Sequence, residues 1–306
     1  MHLSPNLRGS LFMAISMAGF TANDAITKLM SGSMNMGQVM LVRGLFATIL
    51  IAVLAWHRGA LRNLSNAFHP LMALRILGEV GGTVTFLIAL QHLPLANVSA
   101  VLQALPLAVT MGAALFFDEH VGWRRWLAIV AGFLGVMIIV RPGFEGFSAY
   151  SLLVLACVVC CAIRDLATKR IPAAIPSLLV STMAAFAVTV CGALLTVPMG
   201  GWTPMTVKET GLIAGAATLL LVGYQFVIMS TREGDLSFIA PFRYTALLWA
   251  ILLGYLIFGD VPDQAMIAGA LVVIVSGLYM LYRERKPGRH RLAAESTRTV
   301  IAPEGM

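Results

Sequence analysis

Hydrophobic positions in this chain gather into long runs broken by short polar stretches, without the strict alternation of a half-buried strand. Ten such runs can be read, at about residues 9–29, 37–56, 70–91, 95–117, 124–140, 148–169, 177–198, 209–229, 236–258 and 263–282. A helix that crosses a bilayer needs about 20 mostly apolar residues, and the runs approach or reach that length. Strands of a membrane barrel are about 10 residues long and alternate apolar with polar positions, so a barrel is excluded. The pattern predicts an all-α polytopic membrane protein with ten transmembrane helices. The first run follows Arg8 and has the outline of a signal peptide. It is read as an uncleaved first span, because further spans follow and take their orientation from it.

Composition agrees: 59% of the residues are hydrophobic and 11% charged, against about a quarter charged in soluble domains. The net charge of +7 raises the question of nucleic acid, but the basic residues fall between runs and in the tail, leaving no soluble domain to bind it. Their distribution instead predicts orientation. With a cytoplasmic N-terminus, the inner loops hold Arg58, Arg62, Arg124, Arg125, Lys169, Arg170 and Arg232, and the outer loops hold only Lys28, Arg141 and Lys208. That asymmetry puts both termini in the cytoplasm. The C-terminal stretch RERKPGRHRLAAESTRTV is polar and basic and is expected to lie against anionic headgroups.

The segments NDAITK and RDLATK place Asp24, Thr27 and Lys28, then Asp165, Thr168 and Lys169, at the same spacing 141 residues apart. The offset also matches Gly59 with Gly200, Gly82 with Gly223, Phe117 with Phe258, and Glu119 with Asp260, before slipping by four at Gly132 and Gly269. The chain therefore reads as a duplicated five-helix unit. Five crossings are odd, so the second copy enters the membrane from the opposite side, and the units are inverted repeats. The expected organisation is an N-terminus (1–8), a first repeat (9–140), a linker (141–147), a second repeat (148–282) and a basic tail (283–306).

The stretches FFDEHVGWRRWLAIVAGFLGVMIIVRPG and FGDVPDQAMIAGALVVIVSGLY resemble the repeat ends of EamA-type transporters of the drug/metabolite transporter superfamily. The acidic residue closing each fourth helix, the G-W-R-R loop and the R-P-G exit carry the likeness, which extends over about residues 9–285. Asp260 departs from it, standing where the family is expected to carry Glu. The resemblance implies an inner-membrane protein of two inverted halves, alternating access and no ATP hydrolysis. Its nearest subgroup holds riboflavin importers and S-adenosylmethionine transporters. It implies a small-molecule substrate, with riboflavin uptake first, and export of amino acids or S-adenosylmethionine transport as alternatives.

Charge inside a span costs about 2.5–3.5 kcal/mol at the centre on insertion scales, so each charged position needs a reason. Asp24–Lys28 and Asp165–Lys169 are i, i+4 pairs with the acid first, the favourable order. They read either as self-neutralising pairs at helix ends or as gates at the two mouths, and the end positions favour the structural reading. The charges that the duplication does not preserve are the better site candidates. Arg43 aligns with Ala184, Arg75 with Ala216, Glu79 with Leu220, and Arg243 with Leu102. Arg75 and Glu79 either neutralise one another or make Glu79 a proton-coupling carboxylate. Gln103, Tyr224, Gln225 and Tyr244 complete the candidate set, as polar and aromatic groups suited to a flat heteroaromatic solute. Pro106 and Pro241 are expected to kink the fourth and ninth helices, and Gly132, Gly135, Gly269 and Gly277 to let helices approach closely.

A membrane enzyme is the rival class. The chain has no H-E-x-x-H, G-x-S-x-G or P-loop lysine motif, and its histidines lack metal-ligand spacing. Cys157, Cys160, Cys161 and Cys191 all lie in apolar runs and read as small apolar helix residues. Neither a metal nor another cofactor is expected. The partners are the substrate and the lipid bilayer, and the sequence leaves open whether the chain works alone or as a homodimer.

Overall fold

Short polar residues and prolines begin the helices where the apolar runs begin. The structure is a computed structural model describing residues 4–60, 69–117, 119, 121–142, 147–172, 174–233 and 236–284. The expectations for residues 1–3, Arg62, the middle of the linker and most of the basic tail lie outside the described residues. Ser4 caps α1 (Pro5–Met30), its hydroxyl accepting from Leu7 N at 3.4 Å. Asn35 caps α2 (Met36–His57), its Oδ1 accepting from Gln38 N at 2.9 Å. Pro70 opens α3 (Pro70–His92), at a position where no backbone donor is needed.

The fourth run folds as two helices, α4 (Leu95–Leu102) and α5 (Leu105–Phe116), and Pro106 lies in the first turn of α5. Then come α6 (Trp123–Val140), α7 (Tyr150–Arg170), α8 (Ser177–Thr196) and α9 (Val207–Glu233). The ninth run is more broken. It comprises α10 (Leu236–Ile239), a 3-10 segment Ala240–Tyr244 that begins at Pro241, α11 (Thr245–Leu253) and a π-helical turn Gly254–Phe258. The chain's last described element is α12 (Gln264–Glu284). A proline removes a backbone donor, and the interruptions fall beside Pro106 and at Pro241.

Among the described residues, nine segments are long and apolar enough to cross a membrane, with α4 and α5 together making one of them. α1 is not among the nine, because it carries Asn23, Asp24 and Lys28 among many small polar residues. Its Ser10, Ser16, Thr21, Asn23 and Thr27 are buried, so it crosses as a tenth helix whose polar positions face protein. Ser16 Oγ donates to Gly223 O at 2.6 Å, and Ser230 Oγ donates to Gly9 O at 2.6 Å.

The helices pack in pairs: α1 along α9, α3 along α7, α2 along α8 and α6 along α12, with α4 against α11. Exchanging the halves turns the first pair into the second and leaves each remaining pair unchanged. This is the packing of two inverted five-helix repeats about a pseudo-two-fold axis. Ten crossings bring both ends of the described chain to one side, called here the terminus-bearing side.

Lipid supplies no hydrophobic drive between helices, so close backbone approach carries the packing. A Cβ on Gly37 would lie 2.6 Å from Thr196 N, and one on Gly269 would lie 2.6 Å from Gly135 O. Alanine at either position would force α2 from α8, or α6 from α12.

Candidate functional site

Burying a charge in a bilayer is tolerated where it faces other charges or a polar cavity, and α3 and α7 supply such a place. Arg75 and Glu79 lie one turn apart on α3, with Arg75 Nη1 3.3 Å from Glu79 Oε2. Across the interface, Arg164 of α7 places Nη1 3.5 Å from Glu79 Oε1 and Nε 2.8 Å from Asp165 Oδ1. Glu79 therefore bridges two arginines from different halves. It begins about 13 Å into α3 at 1.5 Å per residue. Arg75 is only 3% exposed, and its Nε and Nη1 make no hydrogen bond.

A second group comes from α1 and α2. Arg43 Nη1 lies 3.5 Å from Asn23 Oδ1 and 3.4 Å from Thr27 Oγ1, and it interacts electrostatically with Asp24. Asn23 Nδ2 donates to Asp24 Oδ1 at 2.9 Å. Tyr224 of α9 lies between the groups, within electrostatic reach of Glu79, Arg164, Arg75 and Arg43. Its ring meets Phe20 edge-on, with centroids 5.0 Å apart. Arg243, in the 3-10 break, interacts with Asp165 and Arg164. Among the described residues, the assembled cluster holds four arginines (43, 75, 164, 243) and three carboxylates (24, 79, 165), one positive charge in excess.

The two lysines of the duplicated motif lie away from this cluster, near opposite ends of the molecule. Lys169 Nζ donates to Glu119 Oε1 at 2.8 Å, closing α7 onto the end of α5 at the terminus-bearing side. Lys28, its counterpart, donates to Leu90 O at 2.9 Å and to Leu93 O, and lies 5.4 Å from the Phe258 ring centroid. It interacts with Asp260 electrostatically. Asp260 corresponds to Glu119 but is one methylene shorter.

Several sequence expectations change here. Asp24–Lys28 and Asp165–Lys169 are not self-contained pairs: both lysines turn to neighbouring helix ends, and the aspartates take Asn23 and Arg164 instead. Gln225 stands on the exposed face of α9 with Val222, since one residue of helix turns it about 100° from Tyr224. Gln103 Nε2 donates to Tyr244 O at 3.4 Å, tying the two helix breaks together. The Tyr244 hydroxyl is directed at Gly277 of α12 and stays within electrostatic reach of Arg243. Arg164 is the residue that sequence reasoning missed. It opens the RDLATK segment and aligns with Asn23, so extending the repeat comparison by one position would have found it.

The EamA-like transporter family model matches residues 7–141, spanning α1 to α6. Over those residues the chain is similar to the EamA-like transporter family, and the relatives matched over most of its length are transporters and exporters by name. Relatives similar to it include the S-adenosylmethionine uptake transporter of Rickettsia felis, 24% identical over 93% of this chain and 96% of that protein. The riboflavin transporter of Vibrio cholerae is 27% identical over 92% of this chain and 96% of its own length. The pseudopaline exporter of Pseudomonas aeruginosa is 24% identical over 88% and 94%. A solved crystal structure, 20% identical, aligns with 90% of this chain and 99% of its own with a TM-score of 0.57, a likeness of fold.

Proposed function

We propose that this chain is an inner-membrane secondary transporter with both termini in the cytoplasm. It carries a small metabolite bearing a carboxylate and a flat ring system through the arginine cluster by alternating access. The observation that carries the substrate class is Arg75, buried with Nε making no hydrogen bond and Nη1 held only by the ion-pair contact to Glu79, within a cluster whose described residues carry net positive charge. A buried charged N–H without its own acceptor, as at Nε, is costly, and a substrate carboxylate supplies that acceptor. Glu79, Asp165 and Asp24 suit cationic groups of the same solute, and Phe20 with Tyr224 suits its ring. S-adenosylmethionine has all three features and is the first reading. Riboflavin, which the sequence placed first, is retained as the second for its flat ring and the similarity to the Vibrio cholerae protein.

Accumulation of labelled S-adenosylmethionine and labelled riboflavin by cells lacking their own importers, with and without this protein, tests the choice. The reading expects faster accumulation of S-adenosylmethionine than of riboflavin. Riboflavin alone accumulating would reverse the order, and accumulation of neither would remove both substrates.

A further inference from the structure

Away from the central cluster, the first turn of α6 and the last turn of α12 enclose a cavity of about 280 Å³ lined by Gly122, Trp123, Arg124, Arg125 and Arg283. It lies on the terminus-bearing side. Among the described residues, five line it, of which three are arginines and none is acidic. Arg125 is buried at 4% exposure, which strengthens its field by excluding water. The Arg124 guanidinium lies over the Trp123 ring, 5.1 Å from its centroid, so that its direction is fixed by the indole.

Two features say what such a cavity holds. Gly122 caps α6 without a side chain, and no acidic residue stands in the first turn. The free N–H groups and positive end of the helix therefore add to the field of the arginines. Trp123 is 66% exposed at a helix end, as tryptophans are where a helix meets the headgroup layer. The volume, about 280 Å³, is at the lower edge of the roughly 300–1,000 Å³ usual for organic solutes and has room for a phosphate group with part of the molecule that carries it.

We propose that this cavity binds the phosphate group of an anionic ligand. Planar, forked guanidinium groups match phosphate oxygens in pairs. The phosphate belongs either to a lipid headgroup of the adjoining leaflet or to a soluble phosphorylated species, and the chemistry of the cavity is common to both.

The test uses full-length protein in phosphatidylcholine nanodiscs, with or without phosphatidylglycerol, and the double variant Arg124→Gln with Arg283→Gln. Native mass spectrometry is expected to show phosphatidylglycerol retained at least tenfold over phosphatidylcholine by the wild type, with that preference lost in the variant. Inorganic phosphate titrated into pure phosphatidylcholine discs distinguishes the source. A rise in Tm for wild type and not for the variant assigns the cavity to soluble phosphate. If the double variant does not fold, the exposed single change Arg124→Gln is expected to cut retention at least threefold. Wild type showing neither lipid preference nor a phosphate response overturns the proposal, as does a folded variant, double or single, that behaves like wild type.

Discussion

Thr48 and Thr189, 141 positions apart, share a hydrogen bond with their hydroxyl oxygens 3.0 Å apart. The duplication has the same offset, so each threonine meets its own counterpart, and the pseudo-two-fold axis passes between α2 and α8. Gln103 and Tyr244, also 141 apart, meet at the facing breaks of the fourth and ninth helices. Contacts on such an axis are kept when the halves rock symmetrically, whereas contacts at the two ends are not.

That difference gives the first prediction. In a background with the four native cysteines replaced, cysteines at positions 48 and 189 should crosslink readily and leave at least half of the transport rate. Cysteines at 119 and 169 should crosslink and stop transport, with reduction restoring it. Loss of transport on linking 48 to 189 would place the moving interface between α2 and α8.

Glu79 gives the second. Glu79→Leu removes the ion-pair partner of Arg75, and breaking a buried pair from one side costs about 3–5 kcal/mol. The amount of folded protein should fall sharply. The double change Arg75→Leu with Glu79→Leu should restore that amount, because Arg164 keeps Asp165 and the second repeat already carries Ala216 and Leu220 there. Transport should stay at least tenfold reduced. Recovery of both protein and transport would reduce Arg75 and Glu79 to mutual neutralisers.

The third prediction concerns the ends. Swapping Lys169 and Glu119 as Lys169→Glu with Glu119→Lys should recover transport to within about threefold of wild type, since each charge again faces an opposite one across the partly buried pair. The same swap at Lys28 and Asp260 should not recover it, because Lys28 is held by the Leu90 and Leu93 carbonyls. Flux measured at matched protein level separates the cases, and equal recovery at both ends would contradict this account of Lys28.

Orientation supplies the fourth. A cysteine at Lys208 should react with an impermeant maleimide in intact cells, and one at Arg124 should react only after the membrane is opened. The reverse pattern would invert the topology and move the arginine cavity to the outer face.

The helices and their inversion were legible because apolar run length and an odd number of runs per repeat are properties of the sequence alone. The breaks were signalled by Pro106 and Pro241, but the 3-10 and π segments of the ninth run were not, since they depend on how α11 seats against α1 and α4. Of the candidate site, Arg43, Arg75, Glu79, Tyr224 and Arg243 come together in the structure. Gln225 does not, because hydropathy gives the length of a span without its rotation. The partners of Lys28 and Lys169 were hidden for another reason: i, i+4 spacing describes one helix, and both lysines reach across to others. Arg164 was visible as a residue and overlooked because the comparison stopped at Asp165.

The central claim is that substrate crosses at the arginine cluster and is held there by a carboxylate. Counterflow of labelled S-adenosylmethionine into liposomes containing the purified protein, comparing wild type with Arg75→Gln, tests it most directly. The account predicts exchange by wild type that is blocked by excess unlabelled S-adenosylmethionine, little affected by its carboxyl methyl ester, and at least tenfold slower with Arg75→Gln at unchanged Tm. Exchange by Arg75→Gln at the wild-type rate, or equal inhibition by the methyl ester, would contradict it.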